Sequence, residues 1–365
     1  MIGAHERFIN DRRRIWLALL PTLILSACFM FGTSASASGD IVYGEPYRVA
    51  INGLNQTVMI HTRDTSNPVL LVLHGGPGYA MLPLMHELNP QIEDDFTIVN
   101  WDQRGAGLTL ETQEANMTLN QFVDDAYELT LWLKQEFGQQ KIYILGHSFG
   151  TVLGIYLIKL YPENFFSFVG IGQTVNVIEN EQYGYDWAYQ QAIENGDQRA
   201  RDLLDAVGRP RNDGYYPGEV PLEYADEFES GSDVTIHYVS VYGGDVYGAE
   251  NAAAIDELIL ESGVYDEDSW IEAWQFSQSI FEDPDVWNFD FKDPNQGFLE
   301  FDVPVYFFMG QHDYDTPVNL FEEYYVQIVS QKTYIQFENS AHFPFYEETE
   351  KFREELHKVK NDTYE

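Results

Sequence analysis

Gly146-His147-Ser148-Phe149-Gly150 sets a serine between two glycines. The apolar run Lys141–Leu145 precedes it, and Thr151–Leu160, a stretch that can spiral as a helix, follows. A serine at the apex of a strand-to-helix turn presents its hydroxyl for nucleophilic attack, and flanking glycines let the turn be tight. A hydroxyl is a poor nucleophile near neutral pH. It needs a base within hydrogen-bond reach, and the base needs a carboxylate to orient it.

Two later segments carry those groups. Gly310-Gln311-His312-Asp313-Tyr314-Asp315-Thr316-Pro317 follows an apolar run and offers Asp313, with Asp315 as a rival two residues on. The spacing to Thr316-Pro317 favours Asp313. Asn339-Ser340-Ala341-His342-Phe343-Pro344 offers His342 as the base. The three thus stand along the chain in the order serine, acid, histidine. His74-Gly75-Gly76-Pro77-Gly78 follows the apolar run Val69–Leu73. Its glycines admit close approach by a ligand, so the N–H groups of Gly76 and Phe149 are expected to face a developing oxyanion. Such an oxyanion donor is worth roughly 3–4 kcal/mol of barrier.

Other conspicuous residues carry plainer expectations. His74 is expected to brace its loop, His147 to pack under the turn, and Arg104 to pair with a carboxylate such as Asp102. His312 is read as a loop residue. Trp187, Trp270, Trp274 and Trp287 are read mainly as core. No EF-hand spacing and no H-E-x-x-H segment occurs, so no metal is expected.

The elements that must position these groups alternate along the chain. Short strands are expected at Tyr47–Ile51 and Thr57–His61 around an Asn52-Gly53 turn, and buried strands at Val69–Leu73 and Phe96–Trp101. A helix is expected over Leu119–Phe137, and a further strand at Phe165–Ile171. The alternation stops near Thr174. An aromatic and acidic block follows, with helices expected at Asp186–Asn195, Gln198–Val207, Ala252–Glu261 and Ser269–Phe281. It is too long for a loop. Strand and helix return with Val303–Met309, Leu320–Val329, Tyr334–Phe337 and Tyr346–Lys358. This rhythm predicts an α/β fold, a mostly parallel sheet with helices on both faces. The expected organisation is core over 39–173, an inserted helical cap over 174–298, and core again over 299–365.

The chain of 365 residues has a formal charge of −39, which argues against nucleic acid and anionic membrane surfaces as partners. Residues 1–38 read as a signal peptide: Arg12-Arg13-Arg14, an apolar stretch Ile15–Phe31, and the A-x-A triplet Ala35-Ser36-Ala37. Export to the periplasm or medium is therefore expected. The alternative is retention as an N-terminal membrane anchor, or lipidation at Cys28 within Leu25-Ser26-Ala27-Cys28. Cys28 is the single cysteine, so the mature chain would contain no disulfide. Sequons begin at Asn55, Asn116 and Asn361.

Taken in order, His74–Gly78, Trp101-Asp102-Gln103-Arg104-Gly105-Ala106-Gly107, Gly146–Gly150, Gly310–Pro317 and Ala341-His342 resemble the α/β-hydrolase superfamily. Within it they are most similar to the proline iminopeptidase-like serine peptidases. The Asp102–Gly105 segment is what favours that branch. The resemblance implies a nucleophile at Ser148, an acid at Asp313 and a base at His342. It also implies removal of N-terminal residues, often proline, from short peptides without metal or organic cofactor. His147 and Phe149 depart from the glycine and tryptophan that many proline iminopeptidases carry there. That branch fixes the substrate's amino terminus with cap carboxylates, but Glu179, Glu181, Glu223 and Glu227 are not distinguished by sequence. Hydrolysis of small esters by a carboxylesterase or lipase-like enzyme is the alternative. A non-catalytic binding protein on the same fold is a third reading.

Overall fold

The computed structural model describes residues 41–110, 117–248 and 253–364. The leader, its anchor and lipidation alternatives and the Asn116 sequon lie outside the described residues. Eight strands form one sheet in the order β1-β2-β4-β3-β5-β6-β7-β8. They are β1 Pro46–Ile51, β2 Leu54–His61, β3 Val69–Leu73, β4 Thr97–Asp102, β5 Ile142–His147, β6 Phe165–Ile171, β7 Val305–Gly310 and β8 Lys332–Phe337. β1 and β2 form an antiparallel hairpin, and β2 runs antiparallel to β4; every pairing from β4 to β8 is parallel. Asn52 and Gly53 turn the hairpin with φ of 45° and 82°. That pair of positive angles matches the right-handed twist of the flanking strands.

The central strands are apolar at nearly every position because helices cover both faces. All five residues of β3 and all six of β7 are buried. The helices, in chain order, begin with α1 Leu84–Leu88, α2 Leu119–Glu136, α3 Phe149–Leu160, α4 Val177–Glu194 and α5 Gln198–Val207. They continue with α6 Gly231–Val241, α7 Ala253–Glu261, α8 Glu267–Ser277 and α9 Pro284–Asn288. The last three are α10 Val318–Tyr325, α11 Pro344–Glu347 and α12 Thr349–Thr363. α3 is apolar around most of its circumference and is accordingly buried over most of its length. The buried Val152, Leu153, Ile155, Leu157 and Ile158 each contribute about 1.5–3 kcal/mol by leaving water.

Among the described residues, no strand lies between β6 and β7. The first part of that stretch has its own apolar core, including Leu203, Leu204, Phe228, Val234 and Tyr238. The second part, with Ile255, Ile259 and Trp270, packs into the core that contains Leu70, Val72 and Phe308 of the sheet. α6 was not expected from periodicity. Its start is nevertheless written locally: Ser230 accepts from the Asp233 N–H while Asp233 accepts from the Ser230 N–H. This reciprocal cap satisfies two otherwise orphaned donors. Among the described residues, no helix is long and apolar enough to cross a membrane.

Candidate active site

Ser148, Asp313, His342 and Gly75-Gly76 all follow the C-terminal ends of parallel strands, where open α/β sheets build their sites. Ser148 links β5 to α3 with φ 54° and ψ −124°. That conformation costs a non-glycine residue about 1–3 kcal/mol, so the surroundings must hold it. Its N–H donates to the Ile171 carbonyl at 2.9 Å, and its carbonyl accepts from the Thr151 N–H at 2.8 Å and the Thr151 hydroxyl at 2.6 Å. The turn is also sterically enforced. A Cβ at Gly150 would strike the Leu73 carbonyl, and a Cβ at Gly75 would lie 2.7 Å from that of Ser148. The loop after β3 is thereby pressed against Ser148.

Asp313 is fully buried beyond β7. Its Oδ1 accepts from the Thr316 N–H at 2.8 Å; its Oδ2 accepts from the Thr316 hydroxyl at 2.8 Å and faces His342 Nδ1 at 2.9 Å. His342 Nε2 faces Asp315 Oδ2 at 3.2 Å. The two acids that compete in the sequence thus occupy opposite edges of one ring. Among the described residues, no hydrogen bond joins Ser148 to His342. Both pack against one turn: the Ser148 N–H bonds the Ile171 carbonyl, and a Cβ on the adjoining Gly172 would lie 2.6 Å from His342 Cε1. Burial works against a charged His342. The charges of Asp313 and Asp315 and the hydrogen bond with Asp313 outweigh it and raise the ring to about 9.

The loop that carries His342 is clamped from both sides. Glu347 accepts from the N–H groups of Ala341 at 2.9 Å and Phe343 at 3.2 Å, and its other oxygen accepts from the Tyr247 N–H at 2.6 Å. Burial, opposed by these three bonds, pushes the Glu347 carboxyl up to about 7. The stretch after α6 reaches both loops: the Gly244 carbonyl accepts from Tyr314 N–H and the Asp245 carbonyl from His342 N–H, each at 2.8 Å. Trp187 of α4 stacks on Tyr314, and Tyr247 stacks on His312.

Phe149 opens α3, so its N–H is one of the donors a helix N-terminus leaves over. Among the described residues, neither this N–H nor that of Gly76 has a protein acceptor. Gly76 itself is roofed by the Trp274 ring of α8. His74 braces the loop as expected. Its Nδ1 donates to the Gly75 carbonyl at 2.8 Å and its Nε2 accepts from the Gln103 N–H at 3.1 Å. Burial lowers this ring to about 4, so it is neutral. His147 lies under the turn and donates from Nε2 to the His342 carbonyl at 2.9 Å.

The expected partner of Arg104 is corrected. Arg104 forks onto Asp125 of α2, with Nε and Nη2 each 2.9 Å from a carboxylate oxygen. Asp102 accepts instead from the Leu108 N–H at 2.8 Å and the Tyr265 hydroxyl at 2.7 Å. Asp125 fits the planar guanidinium bidentately and also accepts from Asn52, Gln56 and Gln121. Of the acidic residues considered for substrate contact, Glu179 pairs with Lys292 and Glu227 with Arg199. Glu181 accepts from Tyr216 and Ser232. Trp270 and Trp287 each bond a carbonyl through Nε1, that of Ala80 and that of Phe281.

Sequence reasoning missed the grip of Thr316 on Asp313 and of Glu347 on the histidine loop. The Thr316-Pro317 pair beside the acid was the available signal for the first. Nothing local signalled the second.

The family of the alpha/beta hydrolase fold matches residues 68–206. A probable aminopeptidase, YbaC, of Bacillus subtilis is 29% identical over 84% of this chain and 93% of its own length. A proline iminopeptidase of Clostridium botulinum is 24% identical over 80% of this chain and 89% of its own. Among solved structures, proline iminopeptidase from Mycobacterium smegmatis superposes with a TM-score of 0.59 at 18% identity, covering 87% of this chain and 98% of that one.

Proposed function

Because this chain belongs to the α/β-hydrolase superfamily, we propose that it is a serine hydrolase that works through an acyl-enzyme and trims N-terminal residues from short peptides. Ser148 is the nucleophile, His342 the base, and Asp313 the acid that orients the base. The observation that carries this reading is the Asp313–His342 contact at 2.9 Å, made by a carboxylate fully buried and held at both oxygens by Thr316. A carboxylate so placed fixes the imidazole with Nδ1 protonated and Nε2 free to take a proton.

In the reaction, Ser148 Oγ attacks the carbonyl while its proton passes to His342 Nε2. The oxygen that becomes negative receives the N–H groups of Gly76 and Phe149. The imidazolium then gives its proton to the leaving amine, and water repeats the sequence on the acyl-enzyme. Residues 174–298 serve as the cap that selects substrate. The peptide class is supported by the resemblance of the motifs and by the printed names of the relatives.

A fluorophosphonate probe and two substrates test the proposal. Labelling that disappears in Ser148→Ala, with faster turnover of a prolyl-arylamide than of short acyl esters, is the expected result. Labelling with ester turnover alone rejects the peptidase part. Labelling that persists in Ser148→Ala rejects the nucleophile.

A further inference from the structure

The two ring nitrogens of His342 each face a carboxylate, Asp313 at 2.9 Å and Asp315 at 3.2 Å. A neutral imidazole has a single N–H, whereas the imidazolium has two. With both acids ionised, only the imidazolium places a positive N–H opposite each of them. An imidazolium has no lone pair left for a serine proton. In that protonation state the arrangement is a resting one.

Resting on the serine-hydrolase reading above, we propose that Asp315 is a positioning residue that latches His342: its carboxylate holds Nε2, the atom that must take the Ser148 proton, and turnover begins when that contact opens. As it opens, the Nε2 proton leaves to solvent and the lone pair turns to Ser148. Asp313 keeps Nδ1 throughout.

The two acids are built differently, in keeping with these roles. Asp313 is wholly buried and bonded to Thr316 through both oxygens. The Asp315 side chain is 32% exposed, and among the described residues no hydrogen bond reaches its carboxylate, whose contact with His342 Nε2 is one of charge at 3.2 Å. Its backbone is anchored separately, since Asn180 of α4 donates to the Asp315 carbonyl at 2.6 Å. Release therefore needs a side-chain rotation and no movement of the loop.

The charged and titratable groups that face this pair come from several elements. Asp313 and Asp315 come from the loop after β7, Asp245 from the stretch after α6, and His147 from the end of β5. Asp315 in turn raises Glu181 of α4, and Asp313 raises Glu347. Asp315 is the one whose carboxylate meets Nε2 directly.

The test follows His342 by NMR in histidine-labelled protein, with His342→Gln to assign its signal, beside the pH dependence of fluorophosphonate labelling at Ser148. In Asp315→Asn and Asp315→Ala, both midpoints are expected to fall by about one pH unit or more, the usual effect of removing an opposite charge at this range. Labelling at pH 7 then rises about tenfold. A merely structural role would leave the midpoints in place. Labelling with unmoved midpoints overturns this inference alone. Failure of Ser148 to label at any pH, in all three proteins, overturns the serine reading and the latch with it.

Discussion

Replacing Asp313 with Asn changes one atom of the carboxylate and should cost most of the activity. The Oδ1 position accepts from the Thr316 N–H, so the amide of Asn must keep its carbonyl there. Its NH₂ then occupies the Oδ2 position, opposite His342 Nδ1 at 2.9 Å and the Thr316 hydroxyl at 2.8 Å. A donor at that point forces Nδ1 to accept, which moves the ring proton to Nε2. The ring can then no longer take the Ser148 proton. A wrong tautomer of this kind costs about 10⁴ in kcat, or about 5.5 kcal/mol of barrier. The measurement is steady-state turnover of whichever substrate the wild type hydrolyses, beside circular dichroism to show an intact fold. Asn adds no volume, so the fold should be retained. A folded Asp313→Asn enzyme within tenfold of wild type would refute the assignment of acid and base.

Two other outcomes concern stability. Asp125→Ala leaves the Arg104 guanidinium buried without its counter-charge, which should cost about 3–5 kcal/mol in urea denaturation; a loss under about 1 kcal/mol would show that the pair is solvated after all. His342 is raised in the folded protein from 6.5 to about 9, so the stability its protonation adds is complete below about pH 6.5 and is lost as pH rises through about 9. The stability difference between wild type and His342→Gln should therefore shrink by about 3 kcal/mol between pH 6 and pH 10, and a difference that stays constant would contradict the raised value.

Much of this arrangement is legible in the chain because local rules write it. Buried parallel strands are continuous apolar runs, as in Val69–Leu73, and the serine turn needs small neighbours where α3 crosses β3. What stays hidden depends on side chains that meet across the fold. Asp125 sits amid the polar residues of an amphipathic helix, and only the folded chain brings it under Arg104, 21 positions away. Asp313 and Asp315 are two residues apart in one loop, and sequence cannot say which ring nitrogen each will meet. α6 begins with a legible cap, yet its β-branched valines and threonine blur the helical period.

The strip from Gly244 to Tyr247 is stitched by main-chain bonds to the loops of both the acid and the base. With Asp313 and His342 in their proposed roles, this strip and the catalytic pair form one mechanical part on this side. A peptide that entered by prising up the strip would pull the imidazole and its carboxylate out of register, arriving at a disabled centre. On the proposed mechanism, entry would have to leave these seams closed, so access and chemical readiness would be secured by the same few hydrogen bonds.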